Sequence, residues 1–411
     1  MFKKMHMALF TVIFLVVMFN CSERKRLNPL DPANPETHGR VSGVSVVSYK
    51  NKVYLSWYPV FNSSVTEYKI YRSTNSPDRF VNVGTVGTDS CRFTDIDVNF
   101  DTLYFYSVTA CTETYETPFS DSLSITPGPV CFWIADRYNG LVTRLSYDIS
   151  HRFFISTYLP GPVDVSADPL NSKCYVIDRS GFLTCFAGDG NILLFESGLS
   201  FPEKVSFDYF NNKIWIVENR GTALSCFDTT GAKLYKFDNF RNISSVKWSS
   251  DPPGCWVADS SQSMVFFVTQ SGIDTFSTQI NLSKPVFITK PVKEDYVYVT
   301  SGNMLYKFKI DGTLMFNRDL LSTPVFVTCD DTSGACWVAL KNGGIKKISS
   351  TGEQVLNING FTQISSVAPD WYTGGAVIAD AGRSCLVHVS GSGEIIKESF
   401  IVSFPGALCS E

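Results

Sequence analysis

Trp133-Ile134-Ala135-Asp136, Tyr175-Val176-Ile177-Asp178, Trp215-Ile216-Val217-Glu218 and Trp256-Val257-Ala258-Asp259 are four copies of one short apolar strand. The series continues through Tyr298-Val299-Thr300-Ser301, Trp337-Val338-Ala339-Leu340 and Val377-Ile378-Ala379-Asp380. Successive first residues lie 42, 40, 41, 42, 39 and 40 positions apart. Two further features travel with this anchor strand. About fifteen residues after every anchor but the first comes a glycine turn, at Gly190, Gly231, Gly272, Gly312, Gly352 and Gly393. A strand opening on Pro or Ile, with a branched residue three later, precedes each later anchor: Pro162/Val165, Pro202/Val205, Ile243/Val246, Pro285/Ile288, Pro324/Val327 and Ile364/Val367. A seventh such opening, Pro405/Leu408, stands at the C-terminus with no anchor behind it.

Each unit therefore holds about four short strands in about 41 residues, the period of a four-stranded propeller blade. The first anchor lacks an opening strand, and the last opening strand lacks an anchor. A ring in which the C-terminal strand completes the first blade accounts for both, and closure removes exposed sheet edges. The reading predicts an all-β chain whose residues 128–411 form a seven-bladed β-propeller. Pro-x-x-Val followed by Trp-Val-Ala-Asp and a strand ending before Gly resembles NHL-type and YVTN-type propeller repeats.

Residues 41–127 have a different texture. Val53, Leu55 and Trp57, Tyr68 and Ile70, and Tyr104, Tyr106, Val108 and Ala110 alternate with period two, the signal of half-buried strands. Val53–Trp57, Tyr68–Ser73 and Thr102–Ala110 resemble strands B, C and F of a fibronectin type III β-sandwich. The resemblance makes Trp57 the core tryptophan and Tyr104 the tyrosine-corner residue.

The first twenty residues read as an export signal. Lys3 and Lys4 precede Met7 to Phe19, a run free of charge but short of the about 20 residues of a membrane span. The run ends at Val17-Met18-Phe19-Asn20-Cys21-Ser22, which resembles the lipobox of bacterial lipoproteins, with Asn20 where that family has a small residue. The resemblance implies cleavage after residue 20, lipidation of Cys21, and attachment to a membrane through lipid rather than a spanning helix. With Ser22 behind it, the expected location is the cell envelope, at the outer membrane. Residues 21–40, with Pro29, Pro32 and Pro35, are expected to form a semi-rigid tether.

Composition and site chemistry narrow the function. Of 35 basic residues the mature chain loses Lys3 and Lys4, leaving 33 against 39 acids and a formal charge of −6. That balance provides no footprint for nucleic acid. Of the four histidines, only His151 and His388 fall in the repeats, in non-equivalent places, short of the three or more N or S ligands a zinc site wants. The recurring acids Asp136, Asp178, Glu218, Asp259 and Asp380 would ring a channel if they pointed inward. Ser301 and Leu340 interrupt the series, and a carboxylate at a strand end more commonly accepts N–H bonds of the next turn. Cys91 and Cys111 are a candidate disulfide, and Cys329 with Cys336 a weaker one, whereas Cys174, Cys255 and Cys336 read as small buried apolar residues.

The expectation is a non-catalytic, surface-anchored scaffold without a cofactor, binding a protein or glycan through its propeller. The alternatives are a calcium-dependent propeller lactonase, hydrolase or lyase, and a subunit of an outer-membrane assembly complex.

Overall fold

The computed structural model describes residues 27–411, residues 158 and 279 excepted. The export signal and Cys21 lie outside the described residues. Every regular element among those described is a β-strand. The chain divides into two compact units, one reaching to residue 46 and including 54–95 and 103–124, the other comprising 47–53, 96–102 and 125–411.

Strands Ser45–Tyr49, Lys52–Ser56 and Arg92–Asp95 form a three-stranded sheet. Val81–Gly87, Glu67–Thr74, Tyr104–Cys111 and Leu123–Ile125 form, in that order, a four-stranded one. The period-two residues of the sequence point to one buried side: Val53, Leu55, Trp57, Tyr68, Ile70, Tyr106 and Val108 are all buried. Trp57 meets Tyr68 edge-on at 5.4 Å, and Asp95 of the smaller sheet accepts Arg72 and Tyr106 of the larger, each at 2.8 Å. Tyr104 is buried beneath the Arg72 guanidinium, while the Tyr68 hydroxyl accepts the Val60 N–H at 2.8 Å.

The segment expected to act as a tether is compact over its described residues. From Asn28 to Arg40 the chain is a run of turns folded around buried Asn34, not an extended stalk. Asn34 accepts the N–H groups of Glu36 and Thr37, Asp31 accepts that of Ala33, and Thr37 donates to the Pro29 carbonyl. Short polar side chains that bond to nearby backbone draw the chain into turns, and here they outweigh the extending bias of the three prolines.

Residues 132–410 build repeated four-stranded antiparallel sheets in a propeller-like arrangement. In one of them Pro162–Asp168, Lys173–Asp178, Phe182–Ala187 and Ile192–Ser197 lie side by side in chain order. The anchor strand is second and buried on both faces. Cys174 and Val176 pack with Trp133, Ala135 and Val142 of the preceding sheet, and Tyr175 and Ile177 with Phe207, Ile214 and Ile216 of the following one. Double burial explains why anchors are continuously apolar instead of alternating. Each large apolar side chain buried this way contributes about 1.5–3 kcal/mol. The fourth strand, here Ile192–Ser197, is largely exposed.

The C-terminal strand Pro405–Ser410 pairs with Phe132–Asp136, placing Cys409 opposite Trp133 and Leu408 opposite Ile134. It also packs against the first strands Ile364–Asp370 and Pro162–Asp168 of the sheets on either side. At the glycine turns the backbone enters the left-handed region, with φ +93° at Gly190 and +89° at Gly312. A Cβ at Gly312 would run into the Ser277 carbonyl, so only glycine fits.

Candidate functional site

The first strands of the sheets surround a central channel, and two levels of side chains line it. One level carries Asp164, Lys204, Ser245, Phe287 and Phe326, the next Ser166, Ser206, Lys247, Thr289 and Thr328. A register shift two residues into most of these strands, as between Pro162 and Asp164 or Pro324 and Phe326, brings the first level inward. First strands have no ladder partner on the channel side, so side chains of the neighbouring sheet satisfy their N–H groups. Asp164 accepts from Val205, Ser166 from Phe207, and Ser206 from Trp248, each at 3.0 Å.

Electrostatically the channel is mixed. Burial raises the Asp164 carboxyl above its usual range, against the pull of Lys204 and the Val205 N–H. Burial likewise raises Asp331, which accepts the Val292 N–H at 2.9 Å. Outside the lining, the buried Lys290 ammonium is lowered by burial and next by Lys247, and donates to the Pro291 and Val292 carbonyls. Of the three carboxylates in the lining, Asp164 and Asp331 come from different sheets and each holds a backbone N–H, while Glu411 is taken up by Trp133 and Arg144. This lining can grip polar groups of either sign, and each of its carboxylates already has a partner.

The recurring anchor acids are turn caps. Asp136 takes the Asn139 N–H and side-chain amide, both at 2.9 Å. Asp259 takes the N–H groups of Arg241, Asn242, Ser261 and Gln262, and Asp380 those of Thr362, Gln363 and Arg383. Glu218 accepts the Ser200 N–H, the Ser225 hydroxyl and the Lys233 ammonium. Ser301, which interrupts the acidic series, accepts the Ser283 N–H in the same manner.

A second set of acids escaped the sequence reading. Asp168, Asp208, Asp330 and Asp370 each lie six residues after an opening Pro or Ile, and cap the hairpin into the anchor strand. That fixed offset is the signal by which they could have been found.

The histidines stay apart from any ligand cluster. His388 is buried, its Nε2 3.1 Å from Asp370, which also accepts the Tyr147 hydroxyl at 3.1 Å. His151 lies half-buried in a turn of the first sheet. Among the described residues no three His, Cys, Asp or Glu side chains gather around a metal-sized gap.

Cys91 and Cys111 are free thiols on different sheets. Half-buried Cys91 precedes Arg92–Asp95 of the three-stranded sheet, with its carbonyl holding the Trp57 N–H. Buried Cys111 ends Tyr104–Cys111 of the other sheet, with its carbonyl holding the Thr66 N–H. Cys329 and Cys336 face each other across a hairpin, also as free thiols, and Cys174, Cys255 and Cys336 are wholly buried.

No protein-family profile matches the sequence. No curated protein matches it either. Solved structures do resemble the fold. A functionally unknown protein from Desulfotomaculum acetoxidans DSM 771 aligns at 14% identity and a TM-score of 0.58, over 68% of this chain and 98% of its own. Apo AztD from Citrobacter koseri aligns at 10% and 0.54, over 69% of this chain and 97% of its own. Hydrazine synthase from Kuenenia stuttgartiensis aligns at 13% and 0.53, over 62% of this chain and 90% of its own. Likeness at such identities speaks for the fold alone.

Proposed function

We propose that the chain is a non-catalytic scaffold, anchored by lipid at Cys21 in the cell envelope, that binds a protein or glycan partner through a seven-bladed propeller. Seven anchors, seven first strands and a C-terminal strand that completes the first sheet support the blade count. The pairing of a three-stranded with a four-stranded sheet supports a fibronectin type III module ahead of it. The observation that carries the functional reading is the state of the repeated acids: none of them lines the channel, and apart from the Asp178 Oδ2 their oxygens accept turn N–H groups and neighbouring side chains. What remains in the channel differs from sheet to sheet, which suits recognition of a shaped partner better than one repeated chemical step.

The test of this reading has two arms. The full chain is assayed for turnover of lactone, ester and uronic-acid substrates with and without calcium. Turnover abolished by Asp164→Asn would replace the scaffold with a channel enzyme. In the second arm, fatty-acid labelling of the expressed chain should disappear on Cys21→Ala. Labelling that survives this substitution would remove the lipid anchor from the proposal.

A further inference from the structure

The turns that follow the anchor strands all lie on one face of the ring, together with the connections that lead into the next first strand. Antiparallel sheets force this, and the matched bonds between first strands, Asp164 to Val205 and Ser166 to Phe207, show that neighbouring sheets run the same way. The face collects a basic set. Arg137, Arg179 and Lys341 each come four residues after an anchor and Arg220 five, while Arg241 and Lys284 enter from the connections. All six are exposed, and among the described residues none has an ion-pair partner at its head group.

The acids on this side are mostly turned away. Asp136, Asp178, Glu218, Asp259 and Asp380 are buried beneath the turns. Glu203, Asp238 and Asp319 remain nearer the surface, and Asp238 is paired with Lys236 at 2.8 Å. The opposite turns instead carry exposed Asp189, Asp295, Asp311, Glu353 and Glu394, with Lys293 and Lys309 among them.

Aromatic rings are interleaved with the arginines. Tyr138, next to Arg137, is 78% exposed and lies against Phe404 at 4.4 Å; Phe201, 58% exposed, lies under the Arg220 guanidinium at 4.4 Å. Arg137 also stands close enough to Arg179 to feel its charge. Burial first, then Arg179, lowers the Arg137 guanidinium, and Asp164 opposes both. Two cations held together without a paired carboxylate are well placed for an incoming anion, and guanidinium forks match carboxylate and sulfate geometry.

We infer that this face binds an acidic polysaccharide, its carboxylate or sulfate groups held by Arg137, Arg179 and their neighbours and its sugar rings laid on Tyr138 and Phe201. The inference rests on the scaffold reading and names its partner class. Planar charge recognition beside exposed aromatic platforms favours a sugar polymer over a lipid surface, which would want a continuous apolar face.

The test uses the full chain in detergent with polygalacturonate, neutral dextran, polyglutamate and anionic phospholipid vesicles as probes. Polygalacturonate should bind and dextran should not, with affinity falling as salt rises from about 50 to about 300 mM. Arg137→Gln with Arg179→Gln should weaken polygalacturonate binding by about tenfold or more at unchanged melting temperature, and Tyr138→Ser should weaken it further. Equal binding of dextran, or variants that match the parent, would overturn the acidic-glycan face while leaving the scaffold in place. Polyglutamate or vesicles binding where polygalacturonate does not would also overturn it, in favour of an acidic protein or a membrane. Cleavage of the polysaccharide would overturn the scaffold reading itself.

Discussion

Asp178 and Asp259 occupy the same place in two repeats yet differ in electrostatic state. Asp259 has both oxygens engaged, by the N–H groups of Arg241, Asn242, Ser261 and Gln262 and by the Gln262 side chain. Burial works against its charge, but those bonds prevail and hold the carboxyl below its usual range. Asp178 accepts Ser180 and Phe182 through Oδ1, while its buried Oδ2 has no partner among the described residues. Burial therefore prevails there and raises the carboxyl. The signs of the two contributions are opposite. The lowered Asp259 adds stability above the ordinary carboxylate value, lost as pH falls through its depressed folded value. The raised Asp178 costs stability at neutral pH, recovered as pH falls through its elevated folded value. Asp259→Asn should cost about 1–3 kcal/mol at pH 7, whereas Asp178→Asn should be neutral or stabilising by up to about 1 kcal/mol. Urea unfolding at pH 7 and at about pH 4 reads both effects, and any Asp178→Asn gain should shrink at the lower pH. Equal losses for the two variants would mean the Asp178 oxygens are as well bonded as those of Asp259.

At the level of elements, ring closure depends on more than strand pairing. Glu411, just beyond Pro405–Ser410, accepts the Trp133 indole N–H at 2.9 Å and two N–H groups of Arg144 at 2.9 and 2.8 Å. Arg144 extends further to the Gly188 carbonyl of the next sheet. Both side chains of the pair are buried, at 4% and 2% exposure. Removing one partner of a buried pair strands the other charge, so Glu411→Ala should destabilise the ring by about 3–5 kcal/mol. Glu411→Gln keeps an acceptor for Trp133 and should still lose most of the Arg144 contribution. Denaturant unfolding followed by tryptophan fluorescence measures both, and an unchanged midpoint for Glu411→Ala would show that the pair is not needed for closure.

For the whole molecule, closure converts a row of sheets into a ring with protected inner edges. Ending the chain before Pro405 would leave Phe132–Asp136 without its ladder partner and remove packing against both neighbouring first strands. An unpaired apolar strand invites pairing with another copy. The truncated chain should therefore melt lower and self-associate with rising concentration, as read by light scattering coupled to size exclusion. A monomer with the parent melting temperature would contradict the ring.

The local sequence determined the repeat of about 41 residues, the doubly buried anchors, the glycine turns and the carboxylates at strand ends. Each is enforced within a few residues, by apolar runs that want two neighbours, by positive φ that only glycine takes readily, and by N–H groups within reach of a short acid. Even the unfilled first unit and the orphan last strand pointed to each other. Tertiary structure alone decided the rest. The folded turns at 28–40, the separate free thiols of Cys91 and Cys111, the Tyr147–Asp370–His388 contact and the Arg144–Glu411 pair join or part residues by geometry that periodicity does not encode. The basic face belongs here too. Arg137, Arg179, Arg220 and Lys341 are unremarkable singly along the chain, and become a surface only because antiparallel sheets arranged in a ring bring their turns to the same side.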